Sequence, residues 1–456
     1  MVHTLKSNPA APELQAPTVA DRVLNASEVR ARLPILVRFG IVTALILLIF
    51  FQRFQINIGP YFANNGLVAQ FFLISMLLVS NVLRIDPIRA TLFSAGMAIM
   101  FAAWLLNPAN SSFLSAMLLV AAYLAFIFVA KFPDGNEALV RFTLTTFCNL
   151  MFIAAICGIV QFFVQFGFHQ YWLFDFTQNI PLLFRGTGTY NTVISVGGHF
   201  YKSNGFFFRE PSTCSQYLAL ALICEIALRR RKLRRINPLR LATLGLCLLV
   251  TYSGTGLATL FIGLMFPLGM KTVLRMSLLG LAAAVIFYGL GDALNLSFTA
   301  SRVGEFSSPG SSAYSRFIAP FYFIQANIDT FSSTFLVGHG PGSITRSALH
   351  RSYFENADPT WAKLLFEYGV LGIFAFAGLM FYSITKSRAP VELIAGLCFG
   401  WGIIWGGVAL APEMTGLMFM IAAVAPAFQR GPVRPRQRVV AEVGQLTMPP
   451  ARPRPR

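Results

Sequence analysis

Of the 456 residues, 55% are hydrophobic and only 12% are charged, with a mean hydropathy of +0.63. A soluble domain carries about 25% charge, so this balance excludes one and points to an integral membrane protein. The net charge of +18 suits a nucleic-acid binder, but in a chain this apolar it reads as the positive charge that gathers on the cytoplasmic side, and no nucleic acid is expected as a partner.

Residues 1–33 are polar and Pro/Ala-rich, lack the apolar core of a signal peptide, and read as a disordered cytoplasmic tail. Apolar runs then predict about twelve spans: 34–51, 67–83, 90–106, 113–130, 142–166, 211–228, 241–252, 257–270, 276–291, 360–384, 391–410 and 415–428. Residues 34–428 thus form one all-α, polytopic transmembrane domain. Residues 429–456 are Pro/Arg-rich and predict a second disordered cytoplasmic tail. Two connections are long, about 167–210 and 292–359. The six cysteines lie in or beside apolar runs without CxxC or Cys/His metal spacing, which predicts buried free thiols and no disulfide framework.

With both termini inside, the inner segments hold most of the 36 Lys and Arg, including the cluster RRRKLRR at 229–235. That asymmetry places both long loops outside. Arginines there are not orientation signals, and need another reason.

In NGFFFREPSTCSQ, Pro211 stands at the first turn of a helix, where its missing N–H costs nothing. Glu210 is at the positive end of that helix dipole, beside Arg209. The bland account is a helix start with an interfacial ion pair; the functional one is a charged pair aimed into a cavity. Arg316 precedes an aromatic surface helix and either snorkels to headgroups or grips a phosphate bidentately. Arg302 is of the same kind. GHGPGS (338–343) lacks the Gly-Lys-Ser/Thr ending of a P-loop and reads as a tight turn positioning the next helix. His350, Arg351, Glu355 and Asp358 cluster before the tenth span, where Asp358 reads equally as an N-cap followed by Pro359 at the first helical position. Glu367 lies two turns into that span. An acid there must face protein or water, and Lys363 at i−4 can pair with it.

Over residues 200–385 the chain resembles the bacterial O-antigen polymerase and O-antigen ligase superfamily. The resemblance rests on GFFFREPS before an apolar helix, on SR with an apolar helix leading to GHGPGS, and on WAKLLFEYGVLG opening a late span. It implies a glycosyltransferase of the bacterial inner membrane, with an undecaprenyl-diphosphate-linked donor, a periplasmic active face, inversion at the anomeric centre, and no metal or other cofactor. Asp358-Pro359 stands where ligases of the superfamily carry His-Asn, and His350 is too early. That favours a Wzy-like polymerase of O-antigen, capsule or exopolysaccharide.

The expected reaction joins a hydroxyl of one lipid-linked unit to the anomeric carbon of another. Arg209 and Arg316 are expected to stabilise the departing diphosphate, with Lys202, Arg302, Arg351 and His339 as substrate-binding helpers. Asp358, Glu355, His350 and Glu210 are the candidate bases. Expected partners are the lipid-linked oligosaccharide, membrane lipids, and a chain-length regulator and flippase of the same pathway. An O-antigen ligase is the alternative within the enzyme class. A lipid-linked sugar flippase is the alternative outside it, disfavoured because no repeated halves are visible and the charges sit at the ends of spans.

Overall fold

The computed structural model describes residues 33–58, 61–132, 136–168, 171–186, 191, 193–194, 199–231, 237–266, 307–309, 311–329, 332–349, 359–404 and 411–426. The expected ninth span, almost all of both tails, and Arg302, His350, Arg351, Glu355 and Asp358 lie outside them.

The chain is mostly helical. The main helices are α1 (Ile35–Phe50), α2 (Asn65–Val79), α3 (Pro87–Leu106), α4 (Phe113–Leu124), α5 (Glu137–Phe168), α6 (Pro211–Arg230), α7 (Pro238–Val250) and α8 (Gly254–Met265). Short helices α9 (Ser312–Phe317), α10 (Ala319–Asn327), α11 (Ser333–Val337) and α12 (Ser343–Leu349) follow. Last come α13 (Thr360–Thr385), α14 (Val391–Phe399) and α15 (Pro412–Met418), the latter two each continuing into one π-turn. Helices stand at each expected span that the described residues reach. Among the described residues, those long and apolar enough to cross a membrane unaided are α3, α5, α6 and α13.

Two small antiparallel pairs qualify the all-α expectation. Gln55–Ile58 (β1) pairs with Tyr61–Asn64 (β2), and Leu83–Ile85 (β3) with Phe128–Ala130 (β4). The first makes a hairpin in the connection between the first two expected spans. The second shortens the fourth expected span, whose α-helix stops at Leu124.

α6 is the centre of the bundle. Of its most apolar window, 83% is buried, against 22–56% for the other three long helices. It is also the least apolar of the four, with Ser215, Gln216 and Glu225 buried along it; polar groups in a span must face protein rather than lipid, and here α5, α7, α8 and α14 pack on it. Between helices in lipid, packing contact rather than water exclusion supplies the attraction. Close approach matters, and Gly256 of α8 lies directly on the Ser215 backbone of α6.

At the other end, fully buried Arg89 ties helix C-termini together. Its Nη1 donates to Ala423 O at 2.8 Å and its Nη2 to Ser383 O at 3.2 Å. Orphan carbonyls and the negative end of a helix dipole both favour a cation. All six cysteines are free thiols, four of them buried as expected, while Cys157 and Cys398 are only half-buried.

α13 is not one straight rod. Gly369 has φ +65° and ψ −169°, which breaks the helix. The carbonyls of Phe366 and Glu367 are thereby released, and they accept from the backbone N–H groups of His339 and Gly340, both at 2.9 Å. GHGPGS therefore does more than position α12: it plugs the break in α13. Its three glycines all have positive φ. A Cβ on Gly338 would strike the Glu367–Tyr368 backbone, and one on Gly369 the Leu336 carbonyl. Asn107 Nδ2 holds the loop from α3 through Gly338 O at 3.2 Å. Pro359 is the N-cap of α13 rather than its first residue, as Thr360 begins the helix.

Candidate functional site

α6 opens with Glu210 as its N-cap residue and Pro211 at its first position, as the sequence predicts. Glu210 Oε1 accepts from Thr213 Oγ1 at 3.2 Å, with no cap bond to backbone. The turn before it is tightly built. Gly205 and Phe206 have φ +68° and +65°, an uncommon conformation for a phenylalanine. Polar groups hold it there. Phe206 N donates to both Gln161 Oε1 and Asn204 Oδ1, and Asn204 Oδ1 also takes a 2.7 Å bond from Gln161 Nε2. Both Gln161 and Asn204 are buried.

This turn presents Arg209, whose Nε donates to Gln52 O at 2.7 Å. Its Nη2 is buried, makes no hydrogen bond among the described residues, and lies 3.4 Å from Glu413 Oε1. Glu413, in the first turn of α15, takes a 2.7 Å hydrogen bond from Asn64 Nδ2 on the same oxygen. Asn64 itself caps α2 through Gly66 N. The Glu413 carbonyl accepts from Tyr217 Oη at 3.1 Å. Three stretches distant in sequence, 52–64, 209–217 and that around Glu413, thus meet at one guanidinium.

Arg53 stands beside it. It is 1% exposed, donates through Nε to Phe208 O (3.1 Å) and through Nη2 to Phe174 O (2.9 Å), and sits 4.7 Å above the Phe176 ring. Its Nη1 has no hydrogen-bond partner among the described residues. Burial pulls its pKa down from the ordinary arginine value to about 10, and nearby Asp175 partly opposes this. The hairpin also clasps the first long loop. Asn57 Nδ2 donates to Leu182 O and Arg185 O, and Gly186 N to Arg53 O.

Arg316, on α9, brings in the second long loop. Its pKa is lowered, chiefly by burial, while the Glu210 carboxylate acts to raise it. Arg316 is therefore within electrostatic reach of the residue next to Arg209. Its Nε is buried without a hydrogen-bond partner among the described residues. Charged groups shed from water normally find partners. Unused guanidinium donors here are donors an anion could take.

Lys202, half-buried, lies just before the Gly205 turn. His339 is engaged in packing: its ring stacks on Phe366 (4.4 Å, 11°) with Nδ1 3.2 Å from Phe366 O. Lys363 and Glu367 form a buried ion pair of 2.9 Å, as their spacing predicts. Glu413, Arg53 and Asn64 were not singled out from the sequence. The available signal was weak: a buried charge in a short connection looks like any loop charge.

No curated protein matches the chain. No solved structure matches it either. A family model described as WcaD colanic acid polymerase matches residues 41–427, and with the greater part of its length covered the chain belongs to that family.

Proposed function

We propose that this membrane-embedded polysaccharide polymerase of exopolysaccharide biosynthesis is a glycosyltransferase that joins undecaprenyl-diphosphate-linked repeat units at the periplasmic face of the inner membrane. The carrying observation is that Arg209, Arg53 and Arg316 keep buried guanidinium donors without hydrogen-bond partners among the described residues, around the start of α6. Twelve spans with both termini in the cytoplasm suit this reading.

In the reaction, a hydroxyl oxygen of the acceptor unit bonds to the anomeric carbon of the donor. The bond from that carbon to the phosphate oxygen breaks, and the electron pair leaves with undecaprenyl diphosphate. The hydroxyl proton passes to a carboxylate or imidazole. Glu210 is the described candidate, with Asp358, Glu355 and His350 as further ones. Negative charge grows on the leaving oxygen, so fixed guanidinium groups favour the transition state over the bound substrate. Lys202, Arg302, Arg351 and His339 are proposed to line the path of the substrate. The phosphate-linked donor is already activated, which removes the need for a nucleotide sugar, and no metal is invoked.

The test is reconstitution of the purified protein in liposomes with a lipid-linked oligosaccharide. A ladder of products differing by one repeat is the expected result. A single transfer to lipid A–core, or movement of the unit across the bilayer without new bonds, would sink the polymerase reading.

A further inference from the structure

The Arg209–Glu413 pair is loose. Nη2 lies 3.4 Å from Oε1 and makes no hydrogen bond among the described residues. The same carboxylate oxygen is already taken at 2.7 Å by Asn64 Nδ2. Glu413 is thereby fixed from the α2 side, while Arg209 is fixed through Nε to Gln52 O. Nη2 stands beside a negative charge without being committed to it.

A site for a departing diphosphate has two opposed needs. It must hold the anion while charge develops, and then let it go, since a product gripped too firmly sets the turnover rate. Arg53 and Arg316 add to the positive charge on the Arg209 side. A fixed carboxylate there opposes anion binding by Coulomb repulsion and by competing for Nη2.

We propose that Glu413 is a positioning residue that limits how tightly Arg209 grips the anionic leaving group. It acts through Arg209 without touching the reacting atoms. The inference rests on Arg209 being the leaving-group cation.

A plain structural brace predicts a different outcome. The Tyr217 bond uses the Glu413 backbone carbonyl, so Glu413→Gln keeps it, and the new amide oxygen can still accept from Asn64. Only the charge is removed. The experiment uses the full-length protein in liposomes, with inorganic pyrophosphate as the competing anion. Glu413→Gln is expected to tighten pyrophosphate inhibition roughly two- to fivefold, the range of a partly exposed ion pair, and to lower kcat without raising KM for the lipid-linked donor. Glu413→Asp is expected to return inhibition toward the original value.

Asn64→Ser supplies an independent variant. Serine still caps α2 but withdraws the amide donor, so Glu413 can close on Nη2. Pyrophosphate inhibition should weaken. Unchanged or weaker inhibition in a Glu413→Gln protein of normal thermal midpoint overturns the inference, as does tighter inhibition in Asn64→Ser. The parent reading is tested separately with Arg209→Gln. If that variant leaves pyrophosphate inhibition intact, Arg209 is not the anion's cation and the reading of the site itself fails.

Discussion

Arg53 and Arg209 each bind the carbonyl that precedes the other. Arg53 Nε donates to Phe208 O at 3.1 Å, and Arg209 Nε donates to Gln52 O at 2.7 Å. Two like charges are thus held close together by neutral acceptors. The cross-brace joins the end of the first helix to the mouth of the sixth.

Removing Arg53 takes the side-chain donor from the Phe208 carbonyl and one of two donors from the Phe174 carbonyl, which also accepts from Asn204 Nδ2 at 3.0 Å. Hydrogen bonds to charged groups are worth about 1.5–3 kcal/mol each, and relief of guanidinium burial offsets part of that. Arg53→Met should lower the thermal midpoint in detergent, by roughly 2–3 kcal/mol of stability. The pH dependence has a definite sign. The folded pKa of about 10 lies below the ordinary arginine value, so the unfolded chain holds this proton more firmly. Stability from this group rises only as pH climbs above about 10 toward the ordinary arginine value and is flat below. The gap between the midpoints of native protein and variant should therefore not change across neutral pH.

Loss of one preorganised donor to developing negative charge costs about 10²–10³ in turnover. Arg209→Gln and Arg316→Gln should each show that loss in the rate of ladder formation by liposome-reconstituted protein, measured per folded protein below both midpoints, since Arg209→Gln also loses its bond to Gln52 O. Arg316→Lys should recover only part, since a point charge does not reproduce the planar fork. Native rates in either glutamine variant would remove that residue from the chemistry.

Gly369→Ala should be strongly destabilising. Its φ of +65° and the nearby Leu336 carbonyl leave no room for a methyl group, and strain of about 1–3 kcal/mol adds to overpacking of similar size. Gly338→Ala should behave alike. Gly378→Ala is the control within the same helix. Its new Cβ meets only Leu92 Cδ2 at 3.5 Å, and it should be neutral or stabilising by up to about 1 kcal/mol. Thermal unfolding monitored by helical circular dichroism separates the three.

The Lys363–Glu367 pair is buried on both sides. Breaking one side leaves an uncompensated charge, at a cost of about 3–5 kcal/mol, whereas replacing both can be nearly neutral. Lys363→Met alone should therefore unfold at lower temperature than the double variant Lys363→Met/Glu367→Leu. Equal midpoints would mean that the pair is hydrated rather than enclosed.

Much of this architecture could be read from residue order, because lipid demands long apolar runs and helices that satisfy their own backbone. Pro211 marked the start of α6, and the four-residue spacing of Lys363 and Glu367 marked their pair. The break at Gly369 was not legible: one glycine in an apolar run is tolerated by a continuous helix, and its compensating donors come from His339 and Gly340, thirty residues upstream. Arg209, Glu210 and Arg316 stood out as charges beside recognisable helix starts. Glu413 and Arg53 did not. Each is a single charge in a short connection, and its importance comes from Asn64, Phe208 and Phe174, which only the folded chain brings near.

The enclosure of α6 has a bearing on how the enzyme meets membranes of different thickness. A bilayer that is too thick or too thin acts on helices it can touch, by tilting them. The outer helices such as α3, of whose apolar window only 22% is buried, take that strain. The rod bearing Arg209 at its tip is shielded by its neighbours, so on the proposed function the depth at which a lipid-linked substrate is met is expected to stay constant as lipid composition drifts.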